Sequence, residues 1–589
     1  MCDPNKLVGL TLSECPELAD FYAEKMASHP CSEQQPWSIA ILFDELTPGS
    51  LAHPQHGRKT LSVAFNFLEL GATALSLTQT WFVPVQVRSV NVNDAIGGMS
   101  ACMAIFLRVL FLGDLNIQTV GVTFRARGRV YTLFARLTSF CGDGEGIQLA
   151  LDVFGHGGLR PCFRCQNVLR KNSNLAHRRP NFVDITCSDR TKLIASTTAD
   201  LNAEVDEVMA AHAGMMAETM SWSAFCAIEQ AYGIHANPTG ILACLLLRQR
   251  FSIIDVVNED WMHGALQEGF LNIACKGVLA IVDDRLDLPA DALESFMKAD
   301  WRFPSYSRNK MRSCWKIAAN LKSEFHVKCM ASELLGFYVL LRHFVFTIVL
   351  PRASAVGVEL GEHLNAFQES CKVVDLIMLL KKGHADSNHR RVLLERLRNA
   401  VDRMIAAQKR ATGTEDIRPK HHRMTHIANQ IENVGFVVDA FIIERLHLLA
   451  KEVLGMTHND TAFEASLLKA CCMKQIAQLK QTVLTGLIGR TTPLRGFPGA
   501  VVAQRLRYSG MDVSVGDIVV RDSVVARVAA CAAEGSHTYV IAEVWQEVSI
   551  VDPHSRRWRL SGDTQPWPAE EIEQAIAWYF IEGDMVVIV

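Results

Sequence analysis

The sequence carries no excess of basic residues: 59 Lys and Arg stand against 62 Asp and Glu, a formal net charge of −3 with a pI near 6.7. A global positive field that draws in nucleic acid is thereby excluded, and any such partner has to be met by local charge. A secretory leader is also missing, since the opening MCDPNKLVGLTLSE does not run from basic to apolar. Nor is there an uninterrupted stretch of the ~20 apolar residues that span a bilayer. The longest apolar run, 334–350, is broken by Arg342 and His343. Internal repeats and low-complexity tracts are absent, and 49% hydrophobic with 21% charged residues excludes wholesale disorder and fibrous repeats. The cysteines cannot all pair, because 17 is odd. Together these absences predict a soluble protein of a reducing, intracellular compartment without a membrane partner, in which closely spaced cysteines are metal ligands rather than disulfides.

What is present is 589 residues, enough for several domains at roughly 150 residues each. Residues 1–35 read as a helical lead-in. Segments 37–44 (WSIAILFD), 59–68 (KTLSVAFNFL) and 80–91 (TWFVPVQVRSVN) are short β-branched and aromatic runs separated by turn residues, the pattern of an antiparallel meander. Segment 97–112 has the composition of a buried helix, and 119–143 returns to strand character before glycines stop it beside Asp143. The order is β-β-β-α-β over a first core part, 36–165. Residues 166–415 carry long periodic segments such as RRVLLERLRNAVDRMIAAQKR and predict a large all-helical block. A return to the core follows at 416–490. The remainder, 491–589, has period-two runs broken by Gly, Asp and Pro, which suggests a small C-terminal β-barrel.

Asp44 ends the first predicted strand and Asp143 ends the strand after the helix. Carboxylates at adjacent strand ends can converge on hard divalent cations, although an Asp before Gly is more often a turn residue. Asp260 and His263 stand at i and i+3, so the pair either lines a site or caps a helix. Glu444, His447 and Lys451 share one face of an otherwise apolar helix. Cys162-Phe-Arg-Cys165 has the bite of a zinc site that needs two further ligands; its alternative is a pair of buried thiols.

Three basic islands sit within the neutral whole. Residues 160–180 carry six Lys/Arg and no acid, 298–328 carry eight against two with interleaved aromatics, and 381–423 carry twelve against five. Such islands suit phosphate contact and base stacking, or are solvated helix faces.

Four blocks occur in a telling order: WSIAILFDELTPGSLAHPQHGRKTLSVAFNFLELG, FCGDGEGIQLALDVFGHGGLRPCFRC, EDWMHGALQEG and RPKHHRMTHIANQIENVGFVVDAFIIERLHLLAKEV. They resemble the catalytic blocks of DDE cut-and-paste DNA transposases of the CACTA and Plavaka type, relatives of the hAT transposases and the vertebrate immune recombinase. The resemblance implies an α/β ribonuclease-H-like core, interrupted by the helical block as an inserted domain. It implies Asp44, Asp143 and Glu444 as a triad holding Mg²⁺ or Mn²⁺, with Asp260 and His263 as auxiliary residues.

It also implies Zn²⁺ on Cys162, Cys165, His421 and His426, by analogy with an H-x4-H pair before the catalytic Glu. Residues five apart on a continuous helix point about 140° away from each other, so His422 and His426 compete as the pair, and Cys187 is a further candidate. The implied partners are DNA, as transposon ends and target, and further copies of the chain; the implied compartment is the nucleus. Such transposases carry a DNA-binding module ahead of the first Asp, and no Cys/His finger pattern precedes Asp44. That departure suggests a truncated or domesticated copy. Two other readings stay open: a catalytically silent DNA- or chromatin-binding descendant, and a helical interaction scaffold.

Overall fold

The computed structural model describes the chain except residues 51–52, 55, 171–180, 289, 299–300, 306–326, 328, 383–386, 457–460, 495–496, 575–576 and 589. The chain forms two compact units. The first comprises Met1–Gly71, Leu77–Gly264 and Val373–Thr482, and the second Ala72–Ser76, Ala265–Lys372 and Val483–Val589. These units cut the chain elsewhere than the five segments expected from its patterning.

Two helices, Pro4–Glu14 and Pro16–Ser28, open the first unit, the former capped by the Asp3 carboxylate. The central sheet has five strands: β1 (Trp37–Leu46), β2 (Thr60–Phe67), β3 (Phe82–Arg88), β4 (Ala135–Gly142) and β5 (Val257–Glu259). Their spatial order is β3-β2-β1-β4-β5. Strand β2 runs antiparallel to β1 and β3, whereas β1, β4 and β5 are mutually parallel. All eight residues of β2 are buried, as expected of a strand covered on both faces. Helix α1 (Gly98–Phe111) provides the connection out of the meander. The strand character at 119–143 divides into a separate hairpin, Val122–Ala126 with Arg129–Leu133, and β4.

The expectation of a wholly helical 166–415 is corrected at β5. This strand is too short to show a period of two, and it forms because β4 offers a free parallel edge. The same region supplies amphipathic helices of the expected kind, among them Thr198–Met216 and Ser387–Thr412.

Register sets the level of the acids. Leu42 pairs with Cys141, and Cys141 with Asn258. Carried two residues on, Asp44 falls level with Asp143 and Asp260, which directly follow the C-terminal ends of β4 and β5, while β1 itself runs on to Leu46. Helix α2 (Gly144–Leu151) starts directly from Asp143, and helix α3 (Trp261–Ala265) from Asp260. Helix α4 (Pro419–Met424), helix α5 (Ile427–Val434) and helix α6 (Phe441–Met456) return late in the chain. Ala450, Val453 and Leu454 of α6 pack with Leu46 at the end of β1 and with Phe463, Leu467 and Cys471. That apolar contact brings the start of α6 to the same end of the sheet.

In the second unit, helix Ala331–Phe344 buries the two residues that interrupt its apolar run. His343 Nδ1 lies 2.6 Å from Asp552 Oδ2 and its Nε2 lies 3.3 Å from the Tyr579 hydroxyl. Two helical stretches, Trp261–Leu286 and Ala331–Val356, are long and apolar enough to cross a bilayer, but more than half of the most apolar 18-residue window of each is buried inside the protein, as in core helices.

The expected small barrel is corrected as well. The described C-terminal strands form an open nine-stranded sheet and a three-stranded sheet, and no closed barrel is present among the described residues. The long hairpin His537–Asp552 with Ser555–Pro568 shifts register at three places, and such bulges bend and twist a ribbon without closing it. Alternation in sequence reports a half-buried strand and says nothing of closure.

Gly142 ends β4 against Phe43, whose ring lies tilted against that of Phe140 with centroids 4.6 Å apart. A Cβ at Gly142 would sit 2.7 Å from the nearest atom of the Phe43 ring. Gly142→Ala should therefore destabilise the protein by roughly 1–3 kcal/mol, read as a lower urea midpoint with an unchanged slope.

Candidate functional site

At the end of β1, Asp44 accepts from the Glu45 amide through Oδ1 at 2.7 Å. Its Oδ2 lies 3.8 Å from His447 Nδ1 on α6. Asp143 caps α2, its Oδ1 accepting from the Gly146 amide at 2.6 Å. Glu444 lies in the first turn of α6. Burial, together with the Asp143 and Glu444 carboxylates, pushes Asp44 up to about 7 against the opposing effect of cationic His263. The structure thus gathers Asp44, Asp143, Glu444 and His263 into one electrostatic cluster.

Asp260 is nine-tenths or more buried and fully engaged. Its Oδ1 accepts from the Met262 amide at 3.3 Å and the Ala440 amide at 2.9 Å. Its Oδ2 accepts from the His263 amide at 2.9 Å and lies 2.6 Å from His263 Nδ1. Asp260 is therefore a staple that joins α3 to the start of α6. Burial opposes a charge on His263, but Asp260, Asp44 and Asp143 outweigh it and raise His263 to about 9. His447 behaves oppositely: burial, Lys451 and His263 hold it down to about 3, so its contact with Asp44 is made by a neutral ring.

A second cluster is buried nearby. Ligand atoms of Cys162, Cys165, His422 and His426 all lie within 4.8 Å of one another. Cys162 Sγ is 3.4 Å from His426 Nε2, and Cys165 Sγ is 3.6 Å from Nε2 of both His422 and His426. Two thiols and two imidazoles in this arrangement are the donor set of a tetrahedral site, which would hold a metal ion such as zinc. The Cys165 hydrogen bond, with help from His426 and His422, holds the Cys162 thiol well below its ordinary range.

His421 is not part of this cluster, which corrects the H-x4-H expectation. Its Nδ1 accepts from the Arg418 amide at 3.0 Å and its Nε2 meets Gln408 Oε1, so it closes the N-terminus of α4. Burial pushes it down to about 4. The side chains of His422 and His426, one helical turn apart, face the same way, with ring centroids 5.2 Å apart. Cys187 also stays outside, donating to the Asp189 carbonyl.

Compared with known protein families and with curated proteins, the chain matches none. Its own geometry therefore carries the functional argument.

The two clusters are joined by arginines that motif reading did not single out. Arg164, inside the C-x-x-C loop, donates to the Ile254 carbonyl at 2.7 Å and to the Val257 carbonyl, gripping the start of β5. Arg423, next to His422, pairs with Glu259 at the end of β5 at 3.2 Å. Its guanidinium lies over Gly144, where a Cβ would collide with it. A lone Arg after a histidine is a weak sequence signal, because nothing local ties it to an acid at the end of a distant strand.

The basic islands fare unequally. Arg160 is buried against Glu204, and Arg164 is spent on β5, while 171–180 lies outside the described residues. Most of 298–328 lies outside them too, including Tyr306, Trp315 and Phe325. Helix Ser387–Thr412 exposes Arg391, Arg396, Arg403, Lys409 and Arg410 along its solvent face, while Leu393, Leu397, Val401 and Met404 are buried.

His422→Ala should abolish zinc retention measured by elemental analysis of the purified protein, whereas His421→Ala should keep zinc and lose only stability. A second outcome concerns pH. Asp44 sits at about 7 in the folded chain against an ordinary 3.8. Stability contributed by its protonated form is full below the ordinary value and is lost as pH rises through 7. Thermal unfolding should lose roughly 1–3 kcal/mol across this window, and Asp44→Asn should lack that loss.

Proposed function

We propose that the protein is a DNA-processing enzyme of the DDE type, with a ribonuclease-H-like core in which Asp44, Asp143 and Glu444 hold divalent cations. The observation that carries this reading is the level register of Asp44 and Asp143 at adjacent parallel strand ends, with Glu444 brought to them on α6. The sheet order β3-β2-β1-β4-β5, with β2 alone antiparallel, supports the same core. In open sheets, the mouth beyond the carboxyl ends of parallel strands is where ligands bind.

The donor chemistry fits hard cations. Burial raises Asp44 to about 7, and the Asp143 and Glu444 carboxylates add to that rise, so a charge on Asp44 is unfavourable unless a cation offsets it. Bound Mg²⁺ or Mn²⁺ would supply activation of water or a DNA 3′-hydroxyl and would stabilise the leaving oxygen of an in-line displacement. The chain's own residues do the rest. Asp44, Asp143 and Glu444 bind and space the cations. His263, cationic up to about pH 9 and oriented by Asp260, faces the acids as a partner for a phosphate oxygen. Neutral His447 backs Asp44 without competing for its charge.

Zinc on Cys162, Cys165, His422 and His426 would tie the segment after β4 to the helices leading to Glu444. The exposed arginines of Ser387–Thr412 suit backbone phosphates. The partners in this reading are DNA ends, a target duplex and a second copy of the chain, met in the nucleus. Purified protein with Mg²⁺ or Mn²⁺ should nick DNA carrying its cognate terminal repeats, and Asp143→Asn should lower that rate by roughly 100-fold or more. Equal nicking by both proteins would sink the proposal.

A further inference from the structure

The Cys/His cluster is built from two chain segments, 162–165 and 422–426, and each carries an arginine that reaches β5. Arg164, between the two thiols, donates at 2.7 Å to the Ile254 carbonyl just before the strand and also to the carbonyl of Val257, its first residue. Arg423, directly after His422, pairs at 3.2 Å with Glu259, its last residue. The strand held in this way is the shortest of the central sheet and forms its edge. It has three residues, bonded to β4 on one side and to no strand on the other among the described residues. Burial of Val257 and Asn258 adds to this ladder. A three-residue edge strand nevertheless has few bonds of its own, and such elements open locally at low cost. Asp260 and His263 follow directly, the Asp260 amide continuing the ladder to the Gly142 carbonyl at 3.1 Å, so their placement depends on the docked strand.

Resting on a metal site at Cys162, Cys165, His422 and His426, we infer that metal binding there and docking of β5 are one coupled equilibrium, with Arg164 and Arg423 as the positioning residues that carry the coupling. The ligands come from segments remote in the chain, with 257 residues between Cys165 and His422. Tetrahedral ligation at ~2.0–2.3 Å fixes the separation of two such segments. Both arginines are then presented together, one to each end of the strand. Without the ion, the segments are tied at this point by thiol–imidazole contacts of 3.4–3.6 Å, and either arginine is freer to withdraw. Coupling of this kind is reciprocal, so the docked strand must favour the metal as much as the metal favours the strand. The effect reaches the carboxylate cluster, because β5 leads into the turn in which Asp260 orients His263. Neither arginine needs to touch a reacting group for this.

The test follows hydrogen exchange of the full chain, loaded with Zn²⁺ and after its removal by a chelator, in the segment around β5 and, for comparison, in the buried strand β2. Loss of Zn²⁺ should speed exchange around β5 about tenfold and leave β2 unchanged. Chelator titration should show Arg423→Gln and Glu259→Gln each weakening Zn²⁺ retention about tenfold, although neither residue is a ligand, with no further loss in the double variant. Arg423→Lys should restore most of it. Glu259→Gln separates coupling from simple charge: removing an acid frees a cation to favour thiolates and by charge alone strengthens Zn²⁺ binding, whereas coupling weakens it. Unchanged β5 exchange on Zn²⁺ removal, or equal acceleration in β2, overturns the coupling and leaves the metal site standing. Retention of Zn²⁺ by Glu259→Gln at or above the wild-type level does the same. The wild-type comparison requires no variant to fold. If the chain holds no Zn²⁺ at all, the metal site and the coupling fall together.

Discussion

Asp260 accepts from four donors within one turn of α3 and across to the amide of Ala440. Its own amide donates to the Gly142 carbonyl, continuing the ladder from β4. One buried carboxylate therefore connects three parts of the candidate site: the strand that ends before Asp143, the turn that carries His263, and the helix that carries Glu444. The bond to the Ala440 amide fixes the entry of α6, together with the Lys381–Asp439 ion pair and the packing of Phe441 against Trp261. A charge buried this deeply is costly unless its partners are complete, and here they are.

The remaining organisation follows from how unfavourable the neighbouring acids are in each other's company. Asp44 is pushed up to about 7 by burial and by Asp143 and Glu444, which means the folded chain maintains a site whose occupants repel. That repulsion is borne by contacts elsewhere. Leu46 packs with Ala450, Val453 and Leu454 under the site, and Phe43 packs against Phe140 behind it. The Cys/His cluster adds a link between chain segments that are remote in sequence. Arg164 and Arg423 extend that link to both ends of β5, so the Cys/His cluster and the strand form one continuous set of contacts.

Much of this was legible before any coordinates. The three meander strands and α1 fall within a few residues of where alternation and apolar length put them. Asp44, Asp143, Asp260, His263 and Glu444 were all visible as polar residues at strand ends or on apolar helices. Residue spacing did not choose between His421 and His422. His421 is engaged by Arg418 and Gln408 instead, while His422 and His426, four residues apart, turn toward the thiols. Gln430 reads in sequence as an ordinary polar residue of an amphipathic helix, and its burial without a partner depends on what packs over it.

By itself the sequence determined the strand and helix types over most of the first unit, the thiol pair, and the acids available for a cation. These are local properties, set by periodicity, by glycine and proline, and by side-chain chemistry. Tertiary structure alone decided the parallel register that levels Asp44 with Asp143, the addition of β5, the open C-terminal sheet and the choice of His422. Each of these rests on pairing between segments far apart in the chain, where a shift of one residue or one turn moves a side chain to the opposite face.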